Sequence, residues 1–320
     1  GDSTITGLRV DVGGIRPFVA EGYAVVPPVE SDLRLAASAT GDLRVEGTLT
    51  MREGSLEGAV LIAGWRQQQL GDLEPGQAVT VSVEVASGVA PPSHHYYASQ
   101  LPEQILGSGD YWDDRNLYRR YQFLQAIFAS EEPPGTTPFG TCLAPGLYLV
   151  GWAEEEVPLP VEVVDRPFSS VGTSLYVYDL PVAGLETGAR VTIPPGLIER
   201  QVEGTTGSVE VWPEGMHMEP EAEVVFRFTV WPGVAVRQVD ELVLDMQGSS
   251  YGSTSHPPTV SLWNQESDRW DVLDVGWRSH SISNAGAYVL PSGAVLLRLE
   301  TDAEWQADIE SLTITIKGQR

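Results

Sequence analysis

The sequence predicts a mainly β protein built from two β-sandwich domains, and three observations carry that prediction. Apolar residues recur at every second position in short segments: Leu43, Val45, Leu49 and Met51, then Val79, Val81, Val83 and Val85, then Val224, Phe226, Phe228 and Val230, then Leu312, Ile314 and Ile316. Such alternation gives a strand one dry face and one wet face. Apart from Gly47, the 33 Gly and 23 Pro fall outside these segments, where they read as turns. At 320 residues the chain exceeds what one sandwich ordinarily needs, so two folded units are expected.

Strand patterns occupy 4–12, 18–26, 32–38, 42–52, 57–64, 66–70 and 77–86. Short connections such as Arg52-Glu53-Gly54-Ser55 and Gly71-Asp72-Leu73-Glu74-Pro75-Gly76 predict antiparallel neighbours. Val45-Glu46-Gly47-Thr48-Leu49-Thr50, Leu70 to Gln77, and Val79-Thr80-Val81-Ser82-Val83 together resemble the immunoglobulin-like modules of bacterial surface and secreted proteins. The resemblance implies an immunoglobulin-like fold for the first unit.

Residues 88–143 interrupt the pattern and read as an α-helical insertion. Leu117, Tyr121, Leu124 and Phe128 share one helical stripe, Asp110 or Asp113 can cap the first turn, Asp114 suits the positive helix end, and Pro133-Pro134 stops the helix. A shorter helix is expected at 97–106. Strands resume at 147–153 and 159–164, which closes a first domain at 1–166; Asp165-Arg166-Pro167 disfavours further pairing and marks the boundary.

The second domain, 167–320, carries strand patterns at 173–180, 189–193, 197–202, 208–212, 222–231, 239–246, 258–264, 269–273, 286–290, 293–300 and 309–317. Ser261-Leu262-Trp263-Asn264 and Arg269-Trp270-Asp271-Val272-Leu273 form one hairpin; Tyr288-Val289 and Val295 to Leu299 form another across Pro291-Ser292-Gly293. This arrangement is similar to the galactose-binding-like jelly rolls of extracellular enzymes and surface proteins, and implies a jelly-roll-like second domain.

The net charge of −25, from 44 acidic and 19 basic residues of which only Lys317 is lysine, opposes binding to phosphate backbones, so no nucleic acid partner is expected. The single cysteine, Cys142, excludes an internal disulfide and any multi-cysteine metal site. No apolar run reaches the length of a membrane span; a membrane anchor is expected, if anywhere, outside this fragment.

Residues with chemical potential are scattered. His94-His95 lacks an assignable third ligand, His217 and His256 stand isolated in the sequence, and His280, between Ser279 and Ser281, has neither a nucleophile elbow nor an assignable acid partner, so no catalytic residues are assigned. No cofactor is expected; Asp240, Asp245, Asp271, Asp274, Asp302 and Glu310 can supply hard oxygens to a structural calcium, although no twelve-residue calcium loop exists. Trp263, Trp270, Trp277 and Tyr288 are candidate sugar-stacking residues, and Trp112, Tyr118 and Phe123, with Tyr121, are candidate protein-docking residues of the insertion. The expected role is a non-catalytic interaction or scaffold region of an extracellular, membrane-anchored bacterial surface protein, with a protein or glycan partner. A carbohydrate-binding second domain is the alternative, and a glycan-processing enzyme is a more distant one.

Overall fold

The computed structural model describes residues 26–85, 101–107, 112–128, 145–153, 174–212, 215–234, 236–248 and 256–320. The strands expected at 4–12 and 159–164, and nearly all of that at 18–26, lie outside these residues.

The protein is mainly β, with antiparallel sheets throughout. In the first half, β1 (Val29–Ala37), β2 (Leu43–Met51) and β5 (Ala78–Val85) form a three-stranded sheet in the order β1-β2-β5. β3 (Leu56–Ala63), β4 (Arg66–Leu73), β6 (Leu147–Ala153) and β7 (Ser174–Asp179) form a second sheet in the order β4-β3-β6-β7. Leu33, Leu35, Val45, Leu49, Val81 and Val83 from the first sheet join Leu56, Ala59, Leu61, Leu147 and Leu149 from the second in one buried core, as the alternating pattern requires.

β3 and β6 are apolar on both faces because both faces are covered. Val60, Ile62, Val150 and Trp152 point away from the inter-sheet core and bury against Leu101 and Ile105 of α1 (Leu101–Leu106) and Leu124 of α2 (Arg115–Phe128). A strand buried on both sides loses the alternation of a half-wet strand and reads as a continuous apolar run, as Ala59 to Ala63 does.

In the second half, β8 (Arg190–Ile193), β10 (Val209–Val211), β11 (Met216–Met218), β13 (Gln238–Gly248), β16 (Ser279–Ser283) and β18 (Ala307–Gln319) make a six-stranded sheet. β9 (Ile198–Thr206), β12 (Glu223–Val230), β14 (Thr259–Asn264), β15 (Arg269–Leu273) and β17 (Ala294–Glu300) make a five-stranded sheet in the order β15-β14-β17-β12-β9. Leu242, Leu244, Ile314 and Ile316 face Val224, Phe226, Val260, Leu262 and Leu297 in the same core cluster.

Three expectations are corrected. The strand assigned to 173–180 was placed in the second domain, beyond a boundary at 166/167; β7 is instead hydrogen-bonded to β6 and is the edge of the first half's sheet, with Val150 opposite Val177. The strand expected at 286–290 is a short 3-10 turn, Ala285–Tyr288, entered through Asn284 in the left-handed conformation, φ 55°. Backbone curvature there limits the expected hairpin to a single bridge between Val289 and Val295. β11 and β16 were not anticipated as strands; the residues of β16 alternate between exposed and half-buried with none fully buried, which leaves little hydrophobic signal.

The two halves are stitched together. After β7 the chain runs beside β1, where Leu35 N donates to Ala183 O at 2.9 Å and Ala183 N to Leu33 O at 2.8 Å. It then enters β8, whose Thr192 N donates to Gly41 O at 2.8 Å while the strand pairs with β18. The turn at Gly64-Trp65 rests on Gly196, where an added Cβ would lie 3.0 Å from the Trp65 ring.

Candidate functional site

The helical pair is built from the cap inward. Asp114 is the N-cap of α2: its Oδ1 accepts from the backbone N–H of Asn116 at 2.8 Å and of Leu117 at 3.2 Å. The cap therefore falls on Asp114 and not on Asp113 or Asp110, the latter lying outside the described residues. From that start the apolar stripe turns to the sheet, with Tyr121 and Leu124 buried and Leu117 half-buried. The side chain of Phe128, the fourth member, lies outside the described residues.

Trp152 on β6, 1% exposed, anchors the helix. The Arg120 guanidinium sits 5.0 Å from its ring centroid and donates to Glu57 Oε2 at 2.6 Å, while the Phe123 ring approaches it at 6.1 Å. Gln69 of β4 donates its amide to the Gln104 carbonyl, tying α1 to the same sheet. Among the described residues, these contacts fix the helices from the sheet side.

Trp112 is 65% exposed and Phe123 47% exposed. Trp112 leans on Tyr118, centroid to centroid 5.4 Å, and on Tyr121 at 6.3 Å; Tyr118, itself half-buried, accepts from Gln122 Nε2 at 2.8 Å. The structure brings Trp112 and Tyr118 together, whereas Phe123 is oriented by Trp152. Arg115 and Arg119 share the exposed side. Neither stands among the candidate residues above, although a stretch from 115 to 128 without one acidic residue is a visible signal in so acidic a chain.

The aromatic residues of the second half are differently placed. Trp263 and Trp270 stand opposite each other on β14 and β15, edge to face at 5.4 Å and 72°. Arg298 lies 4.9 Å from the Trp270 ring centroid and bonds Glu300 at 3.0 Å. Beneath them Ser261 is fully buried, and neither its Oγ nor Arg298 Nε has a hydrogen-bond partner among the described residues. Trp277 packs over Gly248, where an added Cβ would fall 2.4 Å from the ring, and serves as a lid on the core. Tyr288 donates its hydroxyl to Asp271 Oδ2 at 3.2 Å. Trp263, Trp270, Trp277 and Tyr288 are all half-buried.

Two carboxylates are held below their ordinary pKa range. For Asp271 the main cause is the hydrogen bond from Asn264 Nδ2 at 2.7 Å, burial working against it, with Tyr288 and Arg269 adding. For Glu241 it is the hydroxyl of Ser281, with Lys317 at 2.9 Å adding. Among candidate calcium ligands, Asp240, Asp274, Asp302 and Glu310 are exposed, and Asp302 Oδ1 accepts from the N–H of Glu304 at 2.9 Å as an ordinary turn residue. Among the described residues no group of three or more His, Cys, Asp or Glu is placed to hold a metal.

His217 on β11 is the one histidine held by carboxylates among the described residues: Nδ1 meets Asp308 Oδ1 at 2.6 Å and Nε2 meets Glu219 Oε1 at 3.3 Å. The Asp308 bond raises the imidazole pKa, burial opposes it and Glu219 adds to it. His217 and Asp308 stand opposite each other on the paired strands β11 and β18, both half-buried, so their bond ties the two strands together.

A family model described as a domain of unknown function, DUF8725, matches residues 33–183. A second, also described as a domain of unknown function, DUF8815, matches residues 192–318. No curated protein matches the chain. One solved structure, described as "Structural basis for the promiscuous specificity of the carbohydrate- binding modules from the beta-sandwich super family", aligns over 92% of this chain and 99% of its own at 8% identity with a TM-score of 0.21, a likeness too low to carry an argument.

Proposed function

We propose that the chain is a non-catalytic interaction region that presents its helical pair to a protein partner, with the sheets as its support. The observation that carries this reading is the two-sided character of α2: Leu124 is completely buried while Trp112 and Phe123 stay 65% and 47% exposed. Large aromatics held open on a fixed support are the residue type that dominates protein contacts. The first seven described strands, in sheets of three and four, fit an immunoglobulin-like module carrying the helices as an insertion, and the six- and five-stranded sheets fit a jelly-roll-like module. The gap between the two matched segments, 184–191, suits a boundary later than 166/167. An extracellular setting on a bacterial surface protein, anchored outside this fragment, rests on the sequence resemblances.

Glycan binding by the second half is the alternative, favoured by the half-exposed Trp263 and Trp270 pair. Its weakness is that Arg298 already occupies the Trp270 ring. A random peptide display selection and a glycan array on the same protein separate the two readings. The docking reading expects enriched peptides whose binding is lost in Trp112→Ala/Phe123→Ala; glycan signals lost in Trp263→Ala/Trp270→Ala would replace it.

A further inference from the structure

Resting on the docking reading above, we infer that the solvent face of α2 takes an acidic peptide segment with apolar anchors. The chain carries a net charge of −25, yet α2, Arg115–Phe128, contains three arginines and no acidic residue. Its charge is opposite to that of the molecule bearing it.

The three arginines are not equivalent. Arg120 is committed to Glu57 and to the Trp152 ring. Arg115 and Arg119 are exposed and have no ion-pair partner among the described residues. At helical spacing Arg115, Arg119 and Phe123 follow one another at i, i+4 and i+8, so the charges and the exposed ring form one stripe, rising about 12 Å along the axis. Trp112 lies at its N-terminal end, against Tyr118. Beyond the exposed Asp113 and the capping Asp114, which lie next to Trp112, the two guanidinium groups and the Phe123 ring offer paired recognition of carboxylates beside an apolar contact.

The same charge balance favours a peptide over the other anionic surfaces. A bilayer or a nucleic acid presents an extended negative field that would meet the whole acidic chain and be repelled by it. A short segment can lie along Arg115, Arg119 and Phe123 and meet only Asp113 and Asp114 of the acidic residues next to them in sequence. Two open arginines are also few for a polysulfated glycan, whereas the flanking rings have apolar work to do.

The test is a random peptide display selection on the full chain, with the enriched peptides remeasured against Arg115→Gln/Arg119→Gln and Trp112→Ala/Phe123→Ala, each variant first checked for an unchanged melting curve. The enriched set is expected to be rich in Asp and Glu alongside Leu, Phe or Trp, and to lose at least about tenfold in affinity against the arginine variant. Added salt should weaken binding to wild type more than to that variant. Peptides without acidic enrichment that depend on Trp112 and Phe123 but not on the arginines would overturn the acidic-segment inference and leave the docking reading standing. Absence of any selected binder, or binders indifferent to both variants, would overturn both. Binding of phosphatidylserine vesicles or heparin oligosaccharides in place of peptides would overturn the inference in favour of those surfaces.

Discussion

Single side chains set the terms of this structure in ways that stability measurements can read. Asp114 satisfies two backbone donors at the start of α2, so Asp114→Ala should cost about 1 kcal/mol in denaturant melts, and Asp113→Ala far less. His217 has its pKa raised by Asp308, so protonation is favoured in the folded state. Its contribution is therefore fully present below the unfolded value near 6.5 and is lost as pH rises through the higher folded value. Melting temperature should fall over that window in the wild type by more than in His217→Gln, and an imidazole titrating at or below 6.5 by NMR would contradict the Asp308 pairing. Gly47 illustrates a backbone requirement: at φ 144° its absent Cβ would fall 1.9 Å from Asp32 O, and Gly47→Ala should destabilise by more than about 1 kcal/mol.

At the scale of elements, the helices are the part whose packing and proposed docking role are joined. Leu124 is the buried centre of the contact with Val60, Ile62, Val150 and Trp152, and Leu124→Ala should cost about 2 to 5 kcal/mol; a loss below about 0.5 kcal/mol would show that the stripe does not face a core. The stripe was legible because Leu117, Tyr121 and Leu124 recur at helical spacing in a chain otherwise of period two. The half-wet strands were legible for the matching reason. β16 was not, since its residues never become fully buried, and the 286–290 segment misled because apolar Tyr288 and Val289 resemble strand residues while the left-handed Asn284 bends the chain. The candidate docking residues Trp112, Tyr118 and Phe123 come from a helix with aromatics on more than one side, and of these Trp112 and Phe123 are exposed. The proposed role of Arg115 and Arg119 is not legible locally, because it rests on contrast with the charge of the whole chain and on Arg120 being the one taken up by the sheet.

For the molecule as a whole, the passage between the halves matters most. The segment after β7 pairs with β1 through Ala183, and β8 bonds Gly41 while completing the second half's sheet. Leu180, Leu185, Val191 and Leu197 continue one buried cluster across this passage. A fragment beginning at 167 carries β7 without its partner β6, so 167–320 should expose that apolar edge and associate or bind a hydrophobic dye, whereas a fragment beginning at 184 should do so less. Such stitching suits a stiff support for the proposed docking face of the helices. Calorimetric titration of the strongest display-selected peptide against wild type and Trp112→Ala/Phe123→Ala tests that claim most directly. At least about tenfold weaker binding is expected, with the melting temperature nearly unchanged, because Trp112 and Phe123 are 65% and 47% exposed. Equal affinity for the two proteins would contradict it.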